Sequence, residues 1–171
     1  MAITLHPDGR VMHGGINVTP KPMIDTFQFT ASPSSAQTPV TDWARLTTSG
    51  FLFDGAYNTG MSLSSGVFTF PMTGRYLIIW AIGIYVTNND SGIGFNLQTC
   101  TDGSTFSSIT NIDEGDSGGH HCHLTHTHIA YITDTTNQKV RFATGSMTGG
   151  NIKGGTSHSY GNCTFLRLND I

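Results

Sequence analysis

The sequence predicts an all-β chain. Its 171 residues include 21 glycines and only 11% charged residues. Long stretches are dominated by Ser, Thr, Asn and Gly, a composition poor in helix formers and rich in turn and strand residues. From Met23 onward, short strand-like runs alternate with turn clusters at the spacing of a sandwich or barrel, and no helical period of useful length interrupts them. The length suits one domain, which at this size buries roughly 70% of its unfolded surface.

Taken in order, the segment "ITLHPDGRVMHGG" places a short strand at Ile3 to Leu5 before a Pro7-Asp8-Gly9 turn. A second short strand lies near Val11, and "VTPKP" follows as an extended connector. Residues 1–23 thus form an arm or small hairpin, too short to hold a core. Further strands are predicted near Ile24 to Thr30, Trp43 to Thr47, Gly50 to Phe53, Gly66 to Phe70 and Arg75 to Val86. The rest fall near Ile93 to Thr99, Leu124 to Thr133, Lys139 to Ser146 and Asn162 to Leu168. The Gly-rich "TGGNIKGGTSHSYG" follows no strand-to-helix pattern and lacks the phosphate-loop ending, so it reads as a long surface hairpin loop.

The formal net charge is -3, and the eight Lys and Arg are scattered. Nucleic acid is therefore not an expected partner, because phosphate neutralisation needs a basic footprint. The longest apolar run, "YLIIWAIGIYV", is much shorter than the ~18 residues of a membrane-spanning helix, and its Ile and aromatic content suits a buried strand. No membrane partner is expected. Cys100, Cys122 and Cys163 are an odd number, and "MAITLHPDGR" lacks the features of a signal peptide. Reduced thiols and synthesis in a cytoplasm are the expectation.

The segment "GVFTFPMTGRY" fits G-x-F-x-x-P-x-x-G-x-Y through Gly66, Phe68, Pro71, Gly74 and Tyr76. This resembles the signature of the tumour-necrosis-factor-like superfamily, in particular its complement globular-head branch. Phe68 and Tyr76 would face the core from consecutive strands while Pro71 and Gly74 shape the turn. The closing "SYGNCTFLRL" resembles the family's last strand more loosely. The resemblance covers about residues 24–171 and implies a jelly-roll sandwich that assembles as a homotrimer. A threefold partner would also cover a second apolar face.

Residues 115 to 128, "GDSGGHHCHLTHTH", carry the remaining chemistry. "GDSGG" matches the nucleophile motif of chymotrypsin-like proteases, but only His6 and His13 precede Ser117, both in the arm, and His120 stands where that family has Pro. "DEGDSGG" reads instead as a solvated acidic turn, with Asp113, Glu114 and Asp116 as a candidate calcium surface. The next nine residues hold five of the chain's eight histidines. Alternation along a strand sends His121 and His123 to one face and His126 and His128 to the other. A cupin-like metalloenzyme would need a Glu soon after H-x-H, and none follows. In the tumour-necrosis-factor-like fold, the strand resembled by "HTHIAYITD" runs beside the threefold axis. One H-x-H pair repeated three times would there offer a structural site for Zn, Ni or Fe. The alternative is that these imidazoles bond to Thr125, Thr127 and water along a polar interface.

No constellation supports catalysis. The short hairpin before one trimeric jelly roll resembles small virion proteins of tailed phages, which open with an "ITLxxDG"-like strand and turn. The resemblance implies a capsid decoration, or cement, protein or a head-fibre protein. Its arm, through Ile3, Leu5, Pro7, Gly9 and Val11, would contact the major capsid protein or another virion protein at the capsid surface. The alternative is the receptor-binding tip of a tail fibre, reading host surface glycan through loops near Asn88 to Gly92 and Gly149 to Tyr160. A non-viral complement-like ligand domain and a cupin-like metalloenzyme stand behind both.

Overall fold

The computed structural model describes residues 3–5, 11–13, 16–17, 22–46, 56–57, 59–87, 90–116, 119–145, 147 and 149–169. Every regular element among them is a strand. Strands β1 (Ile3–Leu5), β2 (Val11–His13) and β3 (Ile16–Asn17) form a small antiparallel sheet in that order, which among the described residues shares no ladder with the rest of the chain. The predicted arm strands at Ile3 to Leu5 and near Val11 are present. Pro7 and Gly9 lie outside the described residues, as do "VTP" and the strand predicted at Gly50 to Phe53.

The rest of the chain is a two-sheet sandwich. It contains β4 (Met23–Phe29), β5 (Trp43–Arg45), β6 (Ala56–Tyr57), β7 (Ser62–Ser64), β8 (Val67–Thr69) and β9 (Gly74–Val86). It continues through β10 (Asp90–Cys100), β11 (Ser107–Asp116), β12 (His120–Ile132), β13 (Lys139–Thr144), β14 (Gly150–Lys153) and β15 (Gly161–Asn169). One sheet has the order β11-β10-β13-β8-β7; the other has β12-β9-β15-β4-β5, with β14 added to β9 and β6 to β4. All ladders are antiparallel.

Strand β9 organises the second sheet. Tyr76, Ile78, Trp80, Ile82, Ile84 and Val86 are all fully buried, whereas Leu77, Ile79 and Ala81 on the opposite face are only half-buried. That alternation is what a strand with one face on the core produces. The core between the sheets is aromatic: Phe68 packs edge-on to Phe27 at 5.0 Å and lies against Phe165 at 5.0 Å, while Trp43 joins Phe29 and Phe142. Offset and T-shaped contacts of this kind add to the area that the rings bury.

The "GVFTFPMTGRY" residues act as their spacing predicts. Ser65 and Gly66, both with positive φ (48° and 77°), make the two-residue turn between β7 and β8. A side chain at Gly66 would run into the Val40 carbonyl. Phe68 and Tyr76 are both fully buried, and the Tyr76 hydroxyl donates to the Met72 carbonyl at 2.7 Å. Pro71 and Gly74 turn the chain from one sheet to the other, because β8 pairs with β13 and β7 while β9 pairs with β12 and β15.

Two segments differ from the sequence reading. "DEGDSGG" is not wholly a turn, since Asp113 and Glu114 lie within edge strand β11 and Asp116 ends it. Its pattern is broken by a register shift opposite Leu97 and Gln98 that leaves Ile109 unpaired and 40% exposed. The Gly-rich segment is also not all loop. Residues Gly150–Lys153 form β14, whose Ile152 is fully buried on β9.

Candidate functional site

Strand β12 is the outer edge of its sheet and pairs with β9 along its whole length, from His120 opposite Val86 to Ile132 opposite Gly74. Its even-numbered residues lean toward the core and its odd-numbered ones away from it. The four histidines divide accordingly. His126 and His128 are half-buried on the inner side, and His121 and His123 are exposed on the outer side.

The inner pair is engaged in packing. The His126 ring stacks on Trp80, and its Nδ1 is 2.8 Å from the Thr127 carbonyl oxygen. Burial, assisted by neighbouring His126, holds the His128 imidazole below its ordinary pKa and favours the neutral ring. Among the described residues no three His, Cys, Asp or Glu side chains converge as a metal site. A metal on these histidines would therefore have to be shared between copies of the chain.

The outer pair faces a recess of about 450 Å³. Its floor is Gly83, the one glycine in the apolar run of β9. There β9 exchanges neighbours: β15 pairs with it up to Ile82, and β14 takes over from Gly83. The Gly83 N–H donates to the Tyr160 carbonyl at 2.8 Å. A Cβ at Gly83 would stand 3.1 Å from the Tyr160 carbonyl oxygen, 3.2 Å from His123 Cε1 and 3.3 Å from Lys153 Cβ, so glycine lets these three groups close in on the floor of the recess. Tyr85 lies behind the lining, with the His121 ring 4.5 Å from it and the Lys153 ammonium 4.9 Å from its centroid. Tyr160, 43% exposed, and Ser32 complete the rim. Among the described residues no Asp or Glu lines it.

Farther along the same outer face the chemistry changes. Ile129 and Tyr131 are 62% and 55% exposed and lie opposite Leu77 and Arg75 on β9. The Arg75 guanidinium sits 5.8 Å from the Tyr131 ring. Half-buried Ile79 and Leu166 extend this apolar area, and Leu168 on β15 is also exposed. From His123 to Ile129 the strand advances about 20 Å, so one sheet face carries a polar recess at one end and an apolar surface at the other.

No protein-family model matches the sequence, and no curated protein matches it. Solved structures do. Murine APRIL at pH 8.0 aligns with a TM-score of 0.59 at 11% identity, covering 86% of this chain and 100% of that one. Eiger TNF from S. frugiperda aligns with a TM-score of 0.59 at 13% identity, covering 88% and 96%. The fold is tumour-necrosis-factor-like. In this tumour-necrosis-factor-like jelly roll, "HTHIAYITD" is the edge strand β12, and the closing "SYGNCTFLRL" enters β15 between β9 and β4.

Of the other residues singled out in the sequence, Ser117 and His6 lie outside the described residues and His13 lies on β2, separate in sheet and sequence from the recess. Cys100, Cys122 and Cys163 form no disulfide with one another. Burial pushes the pKa of the Cys163 thiol well up and holds it neutral, and the buried Cys100 thiol donates to the Asn137 carbonyl. Sequence reading missed Gly83, Tyr85 and Lys153. The visible signal was the single glycine interrupting an apolar strand, a mark of close approach or a withheld side chain.

Proposed function

We propose that the chain is a trimeric, non-enzymatic structural protein of a tailed-phage virion, a capsid decoration or head-fibre protein attached to the shell by its first 23 residues. The observation that carries the trimer is the outward apolar surface around Ile129 and Tyr131. An exposed contiguous surface of this kind on a small sandwich calls for a cover, and closed threefold symmetry supplies it from further copies of the same chain. The virion assignment is supported by the "ITLHPDG" opening and by an arm whose sheet, among the described residues, pairs only within itself, with Ile3 74% exposed. Three such arms on one shell site would raise one another's effective concentration.

A second reading, the receptor-binding tip of a tail fibre, is favoured by the recess beside Tyr160. Antibody labelling of intact particles separates the two. Label distributed in many copies over the head is expected, and label confined to the tail tip would overturn the decoration reading.

A further inference from the structure

We propose that the recess at Gly83 binds an acidic monosaccharide, a pyranose carrying a carboxylate. The inference goes beyond the assembly role and holds for a head or a tail location alike. Three features lead to it. The hollow of about 450 Å³ has room for one sugar ring. Its lining carries the ring of Tyr160 and the His121 imidazole, the latter backed by Tyr85 at 4.5 Å, against which the C–H face of a pyranose packs. Its polar groups include the Lys153 ammonium and the ring nitrogens of His121 and His123, and among the described residues no carboxylate lines it.

The charge of the site selects the ligand. With a cation and no anion among the described residues of its lining, the site offers a neutral sugar no use of the Lys153 charge, whereas a carboxylate forms a charge-assisted hydrogen bond with it. The site is also built into the sheet rather than carried by a loop. Gly83 is fixed by its hydrogen bond to Tyr160, and Lys153 is fixed by the pairing of β14 with β9. Gly154, next to Lys153, exchanges hydrogen bonds with Ser32, its N–H donating to Ser32 Oγ at 3.0 Å. The position of the ammonium over Tyr85 is thus set by backbone pairing on both sides.

The test is titration of the full chain with N-acetylneuraminic acid and with glucuronic acid, read by isothermal calorimetry, with glucose and inorganic phosphate as comparators. Saturable binding of at least one acidic sugar is expected, with a constant near ~1 mM, as suits a single ring in an open site. Lys153→Ala should weaken it roughly tenfold and Lys153→Arg should restore most of it, as the loss and return of one charged donor require. Gly83→Val should abolish binding by pushing aside His123 and Lys153, which stand 3.2 and 3.3 Å from the added Cβ, and Lys153→Ala carries the test if that variant does not fold. Three results would overturn the proposal: no saturation by about 10 mM, tenfold above a millimolar constant; glucose binding as well as the acids; or phosphate binding as well as the acids with Lys153→Ala unchanged.

Discussion

The imidazole of His126 lies flat on the indole of Trp80, ring centroids 4.9 Å apart and planes 7° from parallel. Cross-strand register sets this stack, since the two residues are direct partners in the β12–β9 ladder. The histidine acts as a lid over a fully buried tryptophan. His126→Ala should lower stability by about 1–2 kcal/mol, a stacked pair plus lost contact area, and shift Trp80 emission to longer wavelength as water reaches the ring. Chemical denaturation followed by fluorescence measures both, and an unchanged midpoint with unchanged emission would show that the stack contributes nothing.

Stability should fall in mild acid, in part through His128. Its folded-state pKa is held down, chiefly by burial and then by His126, whereas in the unfolded chain it returns to about 6.5. Below that pH the unfolded chain takes up the proton more readily than the folded one, so stability is full above about pH 6.5 and declines as pH drops through the unfolded value. The urea midpoint of the wild type should be lower at pH 5.5 than at pH 7.5, and His128→Leu should narrow the difference. An identical difference in the variant would remove His128 from the account.

The buried carboxylate of Asp25 is a staple between segments far apart in sequence. It accepts two hydrogen bonds of 2.9 Å from the Arg45 guanidinium and one of 2.7 Å from the Met61 N–H. The arginine is partly exposed, so the loss on Asp25→Ala comes mainly from the orphaned Met61 N–H and the unpaired guanidinium, roughly 2–4 kcal/mol. Asp25→Asn should cost less because one carbonyl oxygen remains. A melting series in which Ala and Asn are equally mild would contradict the staple.

A chelator should leave the melting temperature unchanged at pH 7.5. His126 is occupied by Trp80 and the Thr127 carbonyl, and the described residues of one chain bring no three metal-ligating side chains together. A drop of several degrees would instead locate a metal between copies, where His121 and His123 are the outward ligands.

Much of this was legible in the sequence because its signals are local. The β9 run shows its buried character by length and composition, and "GVFTFPMTGRY" fixes both a turn that needs positive φ at Gly66 and a chain crossing at Pro71 to Gly74. Alternation alone separated His121 and His123 from His126 and His128. What was not legible depends on partners distant in sequence. Strand β11 was hidden because an irregularity at Ile109 breaks its two-residue period. Strand β14 was hidden because glycines surround the single buried Ile152. The recess forms where β12 and β14 flank Gly83 on opposite sides, through His123 and Lys153 about 40 and 70 residues away along the chain, and no local pattern announces that meeting.

The most direct measurement of the central claim is native mass spectrometry of the purified full chain beside Ile129→Lys. The account predicts a wild-type mass three times the 18.4 kDa chain, and a monomer for the variant, because a charge placed on the apolar half of the sheet cannot be buried against a second copy. A wild-type monomer, or a trimer that Ile129→Lys leaves intact, would contradict it.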